Sequence, residues 1–237
     1  MTRIEGSVAL VTGGSRGIGK ALVEALYERG ARKVYATARD PRSVSHPDAV
    51  PLALEVTDPA SVTAAAAQAQ DVTILINNAG STAPSNFLES PVEDIRREFE
   101  VNFFGPLLAT RAFVPTLERN GGGHILTLHS VLSWLALPGA DAYSAAKAAL
   151  WSQSNALRLE LRPRGINVTG LHVGYVDTDL SADLDVHKVT SHSVAGQALD
   201  GIETDAHEVL ADAITRQVKA GLSGELSALY PQLAGYQ

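Results

Sequence analysis

The chain has 237 residues, 45% of them hydrophobic, which is enough for one large α/β domain with a sizeable core. Its 19 basic and 26 acidic side chains give a net charge of −7, leaving no basic excess to neutralise a nucleic acid or an anionic membrane. With no cysteine there is neither a disulfide framework nor a thiolate metal site, and with no signal segment or run of about 18 apolar residues the expectation is a cytoplasmic protein without a membrane span.

Short apolar runs alternate with longer helical stretches. Ser7 to Val11 reads as the first strand, followed by a glycine-rich turn and a helix from about Gly17 to Arg29. Lys33 to Ala38, Val50 to Leu54 and Val72 to Ile76 read as the second, third and fourth strands, and His124 to Leu128 and Ile166 to His172 as the fifth and sixth. Helices are expected over Pro59 to Gln70, Pro91 to Phe103, Pro106 to Arg119 and Asp141 to Leu161, with the prolines in first turns where a missing N–H costs nothing. Such alternation indicates a parallel sheet covered on both faces, and right-handed crossovers make it doubly wound, a Rossmann-type α/β fold in a single domain. The tail is less regular. A Ser-, Asp- and His-rich stretch, about 178 to 201, reads as a mobile segment beside the substrate, and a helix is expected over about Asp205 to Ala220. Residues 221 to 237 show no convincing seventh strand.

Thr12-Gly13-Gly14-Ser15-Arg16-Gly17-Ile18-Gly19 lies between the first strand and the first helix. Glycines there let the backbone turn tightly and approach a pyrophosphate, whose charge meets the helix N-terminus. A carboxylate at the end of the second strand would favour a free ribose hydroxyl and hence NAD. If the strand ends at Ala38, a neutral residue takes that place and Arg39 follows, a guanidinium suited to a 2′-phosphate, with Arg16 in support. That register favours NADP. The competing register puts Asp40 on the ribose, and Arg39 is then a solvated charge.

Tyr143 and Lys147 fall four residues apart in a helical stretch and so share a face. A phenol titrates near 10, too high for acid–base work at neutrality, and a nearby ammonium favours the phenolate. Spacing alone leaves a chance pair open. His187 and His192 lie in a loop with no further organised ligand, and no metal site is expected.

The motifs in order resemble the short-chain dehydrogenase/reductase family over nearly the whole chain, and within it an NADP-preferring carbonyl reductase. They are the turn from Thr12 to Gly19, Asn77-Asn78-Ala79-Gly80 after the fourth strand, Asn102 in the helix beyond, Ser130 at the end of the fifth strand, and Tyr143 with Lys147. The resemblance implies a sheet ordered 3-2-1-4-5-6 and NADP(H)-dependent interconversion of a ketone or aldehyde and an alcohol. It makes Tyr143 the general acid and base, Ser130 a hydrogen-bond donor to the substrate oxygen, Lys147 the group that lowers the tyrosine pKa and binds the nicotinamide ribose, and Asn102 the holder of a relay water. It also assigns to the cofactor Gly13, Ser15, Arg16, Gly17, Ile18, Gly19, Arg39, Glu55, Val56, Asn78, Ala79, Gly80, Gly174, Val176 and Thr178. Two positions depart from the family: Glu55 replaces the usual Asp of the adenine segment, and Val173-Gly174 replaces Pro-Gly after the sixth strand.

Around Ser130 and Tyr143 the pocket is expected to be walled by Leu132, Trp134, Leu137 and Tyr175, with Val131, Leu135 and the segment from Leu180 to about Leu199 nearby. Trp134 and Leu135 read equally well as core. Mostly apolar walls suit an uncharged ketone or secondary alcohol. The resemblance implies a homodimer through the helix from Pro106 and the helix that carries Tyr143 and extends to Trp151 and Leu157, with a tetramer also possible. The alternatives are a 3-oxoacyl carrier-protein reductase, which would want basic residues near the pocket mouth, and a non-catalytic NADP-binding redox sensor.

Overall fold

The structure, a computed structural model, describes residues 2–233. Its first half alternates β1 (Val8–Val11), α1 (Gly17–Glu28), β2 (Lys33–Ala38), β3 (Val50–Ala53), α2 (Pro59–Gln68) and β4 (Ile74–Asn77). There follow α3 (Val92–Phe99), a π turn over Glu100–Phe104, α4 (Gly105–Arg119), β5 (Gly123–Leu128), α5 (Asp141–Leu161) and β6 (Ile166–His172). The last part holds β7 (Val176–Asp177), β8 (Val189–Thr190), α6 (Ser191–Glu203), β9 (Glu208–Leu210), α7 (Ala213–Gly221) and α8 (Leu226–Leu229).

Seven strands form one parallel sheet in the order β3-β2-β1-β4-β5-β6-β9. Side chains alternate between its faces, as the pleat requires. From β1, Ala9 and Val11 enter a core with Leu22 and Leu26 of α1 and Leu199 and Ile202 of α6. Val8 and Leu10 enter the opposite core with Phe113 and Leu117 of α4 and Leu161 of α5. Both faces are therefore covered, which is why the strands read as unbroken apolar runs. Chain direction across the sheet reverses between β1 and β4, and the crevice above their C-terminal ends is where such folds bind ligands.

Three differences from the sequence reading concern the site. The expected helix over Asp205 to Ala220 is a strand followed by a shorter helix. Glu208–Leu210 pairs with Gly170–His172, so the seventh strand exists and lies upstream of residues 221 to 237. Three residues are too few to display a period, and β9 is held by its neighbours. Gly201 of α6 packs so closely on Val209 that a side chain would collide, and the Arg158 guanidinium binds the carbonyls of Val168 and His207. Second, residues 191 to 203 of the Ser- and His-rich segment form α6, N-capped by the Thr190 hydroxyl. Third, the helix expected to end at Phe103 passes through a π turn into α4. Asn102 sits in that turn, and its side-chain amide donates to the Glu98 carbonyl, the acceptor that a regular α turn would give to the residue 102 backbone N–H.

Candidate functional site

The glycine turn is tied to the end of β4 by two side chains. The Thr12 hydroxyl accepts the N–H of Asn78 at 2.9 Å and of Ala79 at 3.0 Å, while the Asn78 amide donates to the carbonyls of Thr12 and Gly13. Gly17, with φ +53°, opens α1 in the left-handed region that disfavours side chains. Gly19 lies so near the Gly13 carbonyl that any Cβ would overlap it. The first turn of α1 has no capping side chain and no acidic residue, so its N–H groups stand free for an anion. Ser15 borders this turn, Ile18 packs down onto the core, and Thr178 reaches across to it, its methyl 3.2 Å from the point a Gly17 Cβ would occupy. These residues fit a dinucleotide pyrophosphate.

The end of β2 follows the first of the two registers considered. Ala38 is the last strand residue, and Asp40 lies beyond it, capping a single 3₁₀ turn. Its carboxylate is taken by Arg42, at 2.9 Å and 3.0 Å, which holds it below the usual carboxylate range. Arg39 is exposed and forms no ion pair among the described residues. Arg16 meets Asp179 at the surface, 3.6 Å away. Glu55 folds back onto the N–H and hydroxyl of Thr57, Val56 packs against Gly105, and Gly174 donates its N–H to Asp212. Val176 is buried in the core.

Beyond the switch point four candidate residues converge from three elements. Ser130 follows β5 and caps the 3₁₀ turn Val131–Ser133 with its hydroxyl. Tyr143 and Lys147 come from the first turns of α5, Asn102 from the π turn. Lys147 is buried and donates from Nζ to the Leu128 carbonyl at 2.9 Å, with the ammonium 5.6 Å from the centre of the Tyr143 ring. Gly80 fits between the last two: a Cβ there would stand 3.1 Å from Asn102 Oδ1 and 3.9 Å from Lys147 Nζ.

The electrostatics differ from the expectation that Lys147 lowers the tyrosine pKa. Burial pushes Tyr143 up to about 12, and the Ser130 side chain only partly opposes this. The same burial lowers Lys147 to about 8, against the pull of the Glu98 carboxylate. Desolvation penalises both charged forms and outweighs the Ser130 hydrogen bond at Tyr143 and the Glu98 charge at Lys147. At neutral pH the phenol keeps its proton.

Trp134 stands apart from this group. Its ring stacks on His172 at 3.9 Å between ring centres, meets Trp151 edge-on and lies under the Lys219 ammonium, so it fills the seam between α5, β6 and α7. Leu132, Leu137 and Tyr175 are half-buried near the ends of β5 and β6. Composition does not reveal Glu98, Ser81 or Ser85. Ser85 anchors the start of α5 through its hydroxyl and the Ala142 N–H, and only the pairing of two distant loops exposes that role.

The model of the short chain dehydrogenase family matches residues 7–188. The chain belongs to that family. Its sheet and switch point are the family's fold. A short chain dehydrogenase from Burkholderia cenocepacia, crystallised in complex with NADP, is 40% identical, with 98% of each chain covered and a TM-score of 0.92. The 3-oxoacyl-(acyl-carrier-protein) reductase of Salmonella typhimurium is 34% identical over 190 residues, 76% of this chain and 78% of that one. A dehydrogenase/reductase SDR family protein 7-like protein of Drosophila melanogaster is 32% identical over 195 residues, and the matched part spans 76% of this chain but only 60% of that relative.

Proposed function

We propose that this protein is an NADP(H)-dependent reductase that interconverts a ketone or aldehyde with an alcohol. The observation that carries the reading is the convergence of Ser130, Tyr143, Lys147 and Asn102 beside a glycine turn whose helix N-terminus is free for a phosphate. In reduction, Tyr143 gives its proton to the substrate oxygen, and its raised pKa keeps it in the donating form at neutral pH. Ser130 donates to the same oxygen and stabilises the charge that develops there. Lys147 binds the ribose and passes protons to Tyr143. When bound, the dinucleotide supplies the reducing equivalent to the carbonyl carbon.

The preference for NADP rests on β2. Asp40 is occupied by Arg42, whereas Arg39 is exposed and free to bind a 2′-phosphate, and the Burkholderia relative was crystallised with NADP. The remaining assignments to the cofactor are Gly13, Ser15, Arg16, Ile18, Gly19, Glu55, Val56, Asn78, Ala79, Gly80, Gly174, Val176 and Thr178. Residues 1 to 237 form one domain on this reading. The stretch before α6 acts as a movable wall, since it exposes Leu180, Leu184 and Val186. The chain works in the cytoplasm; no helix among the described residues is long and apolar enough to cross a membrane. A homodimer pairs α4 and α5 along the flank where Phe104, just before α4, and Leu159 of α5 are exposed. Trp151 and Leu157, also on α5, instead pack within the chain.

A second reading, reduction of a carrier-bound 3-oxoacyl group, is favoured by the Salmonella relative. Against it, the stretch from Leu180 to Leu199 carries Asp183 and Asp185 and a single lysine, Lys188, to meet a phosphopantetheine phosphate. Following NADPH consumption with a panel of alkyl and aryl ketones and a 3-oxoacyl thioester separates these. Tight NADPH binding with no turnover of any would favour a redox sensor. Arg39→Asp is expected to lower the NADPH to NADH preference in kcat/KM by roughly 10- to 100-fold, the worth of a charged hydrogen bond. An unchanged ratio would return Asp40 to consideration.

A further inference from the structure

Among the groups that this chemistry leaves unused, Glu98 is the one buried against it. The residue is 3% exposed, in the last turn of α3. A carboxylate out of water is costly unless its oxygens are filled and its charge is compensated. Oε1 accepts from the Ser81 hydroxyl at 3.2 Å, and Oε2 from the Asn102 amide at 3.0 Å. A carboxylate can only accept, so it dictates which end of the Asn102 amide faces it. The Asn102 NH2 group also donates to the carbonyls of Ser81 and Glu98. Asn102 Oδ1 must then point the other way; among the described residues it is buried without a partner, and it and Lys147 Nζ both lie within 4 Å of the point a Gly80 Cβ would occupy. An orphaned acceptor and an ammonium therefore face the same side of Gly80, two of the polar partners a bridging water needs.

Charge acts along the same line. Glu98 pulls the Lys147 pKa up against burial, and Lys147 pulls that of Glu98 down, although burial still leaves the carboxyl above its ordinary 4.5. The titratable groups that respond to Glu98 are Lys147 and Tyr143, both from α5. On its own helix, Glu93 and Arg96 pair with each other, as do Asp94 and Arg97, at the exposed side.

We propose that Glu98 is a positioning residue of the proton path, orienting Asn102 and holding the charge on Lys147 so that Tyr143 is reprotonated through it. The proposal rests on the reading of Tyr143 as the acid. Three variants of the full chain test it, with NADPH and a ketone that the wild type reduces. Glu98→Gln keeps the shape and an acceptor for Asn102 but removes the charge. Its kcat is expected to fall off at a pH lower by about one unit, because Lys147 loses the anion that keeps it protonated. Glu98→Asp keeps the charge and should retain the wild-type upper limit, with reduced kcat. Glu98→Ala should show both the shift and the loss.

A readout without cofactor accompanies these. A carboxyl raised in the fold favours the protonated native state, so its contribution to stability is present below 4.5 and lost as pH rises through the folded value. The stability of the wild type in urea, relative to Glu98→Gln, should decline over that range. Superimposable pH profiles for the wild type and Glu98→Gln, or an equal shift in Glu98→Asp, would overturn the proposal, as would a flat stability difference. Tyr143→Phe, run beside them, keeps the failures apart: retained turnover there would remove the acid assignment, not the role of Glu98 alone.

Discussion

Two clusters of buried polar groups flank the end of β5, and they are built differently. On one side Asn102 and Lys147 lie beside Gly80, and Glu98 and Ser81 lie behind Asn102. Glu98 and Lys147 form no ion pair among the described residues, each is held by other partners, and Asn102 Oδ1 is left open. On the other side His172 lies between the rings of Trp134 and His129. Glu208 there accepts from Lys219 at 2.7 Å and from Trp151 at 2.7 Å, with His172 Nε2 at 3.5 Å, the outer limit of a hydrogen bond. His129 has no partner for either ring nitrogen, and burial keeps it neutral. Both clusters carry shifted pKa values, so a shift alone does not mark the chemistry. What separates them is the pairing of charge and the place. The second joins Glu208 to Lys219 in an ion pair beside stacked aromatic rings, whereas the first keeps Glu98 and Lys147 apart, with the Asn102 oxygen open, at the switch point.

The largest test of that contrast is Tyr143→Phe. Removing the acid should cost roughly 10²- to 10⁴-fold in kcat with NADPH affinity preserved, measured by turnover and by fluorescence titration. If NADPH affinity fell instead, Tyr143 would belong with the packing groups. Next is Glu208→Gln, expected to cost about 1.5–3 kcal/mol of stability in urea at neutral pH, with kcat/KM nearly intact. Its pH dependence follows from sign. Glu208 is held below its ordinary 4.5 by His172 first and then by Lys219 and Trp151. The stability it contributes is therefore present above 4.5 and lost as pH falls below. A variant equally stable at pH 7 would show that the seam does not depend on this carboxylate. The smallest effect is expected from Trp134→Phe, about 1 kcal/mol from the altered stack, with KM for ketones unchanged. A shift in ketone preference would return Trp134 to the pocket.

Much of this molecule is readable along the chain. The bounds of β2, α5 and β6 coincide with the expected ones, because continuous apolar runs and a long helical stretch are the most legible patterns in a sequence. Helical spacing by itself linked only Tyr143 and Lys147; Ser130 and Asn102 were singled out by the resemblance of the motifs, in order, to those of the family. Glu98 was not. In the sequence it is one more acid in a charged helix, Glu93-Asp94-Ile95-Arg96-Arg97-Glu98, and nothing local marks it as the one turned inward.

The sequence by itself determined the alternation of strands and helices, the glycine turn with its free helix N-terminus, and the shared face of Tyr143 and Lys147. Those are short-range consequences of backbone sterics and helical spacing. Only the tertiary structure decided that Glu208–Leu210 is a strand, that Trp134 stacks on His172, and that Tyr143 is made less acidic rather than more. Each of these depends on which distant groups exclude water from a residue, and desolvation is a property of the packed surroundings that no local pattern encodes.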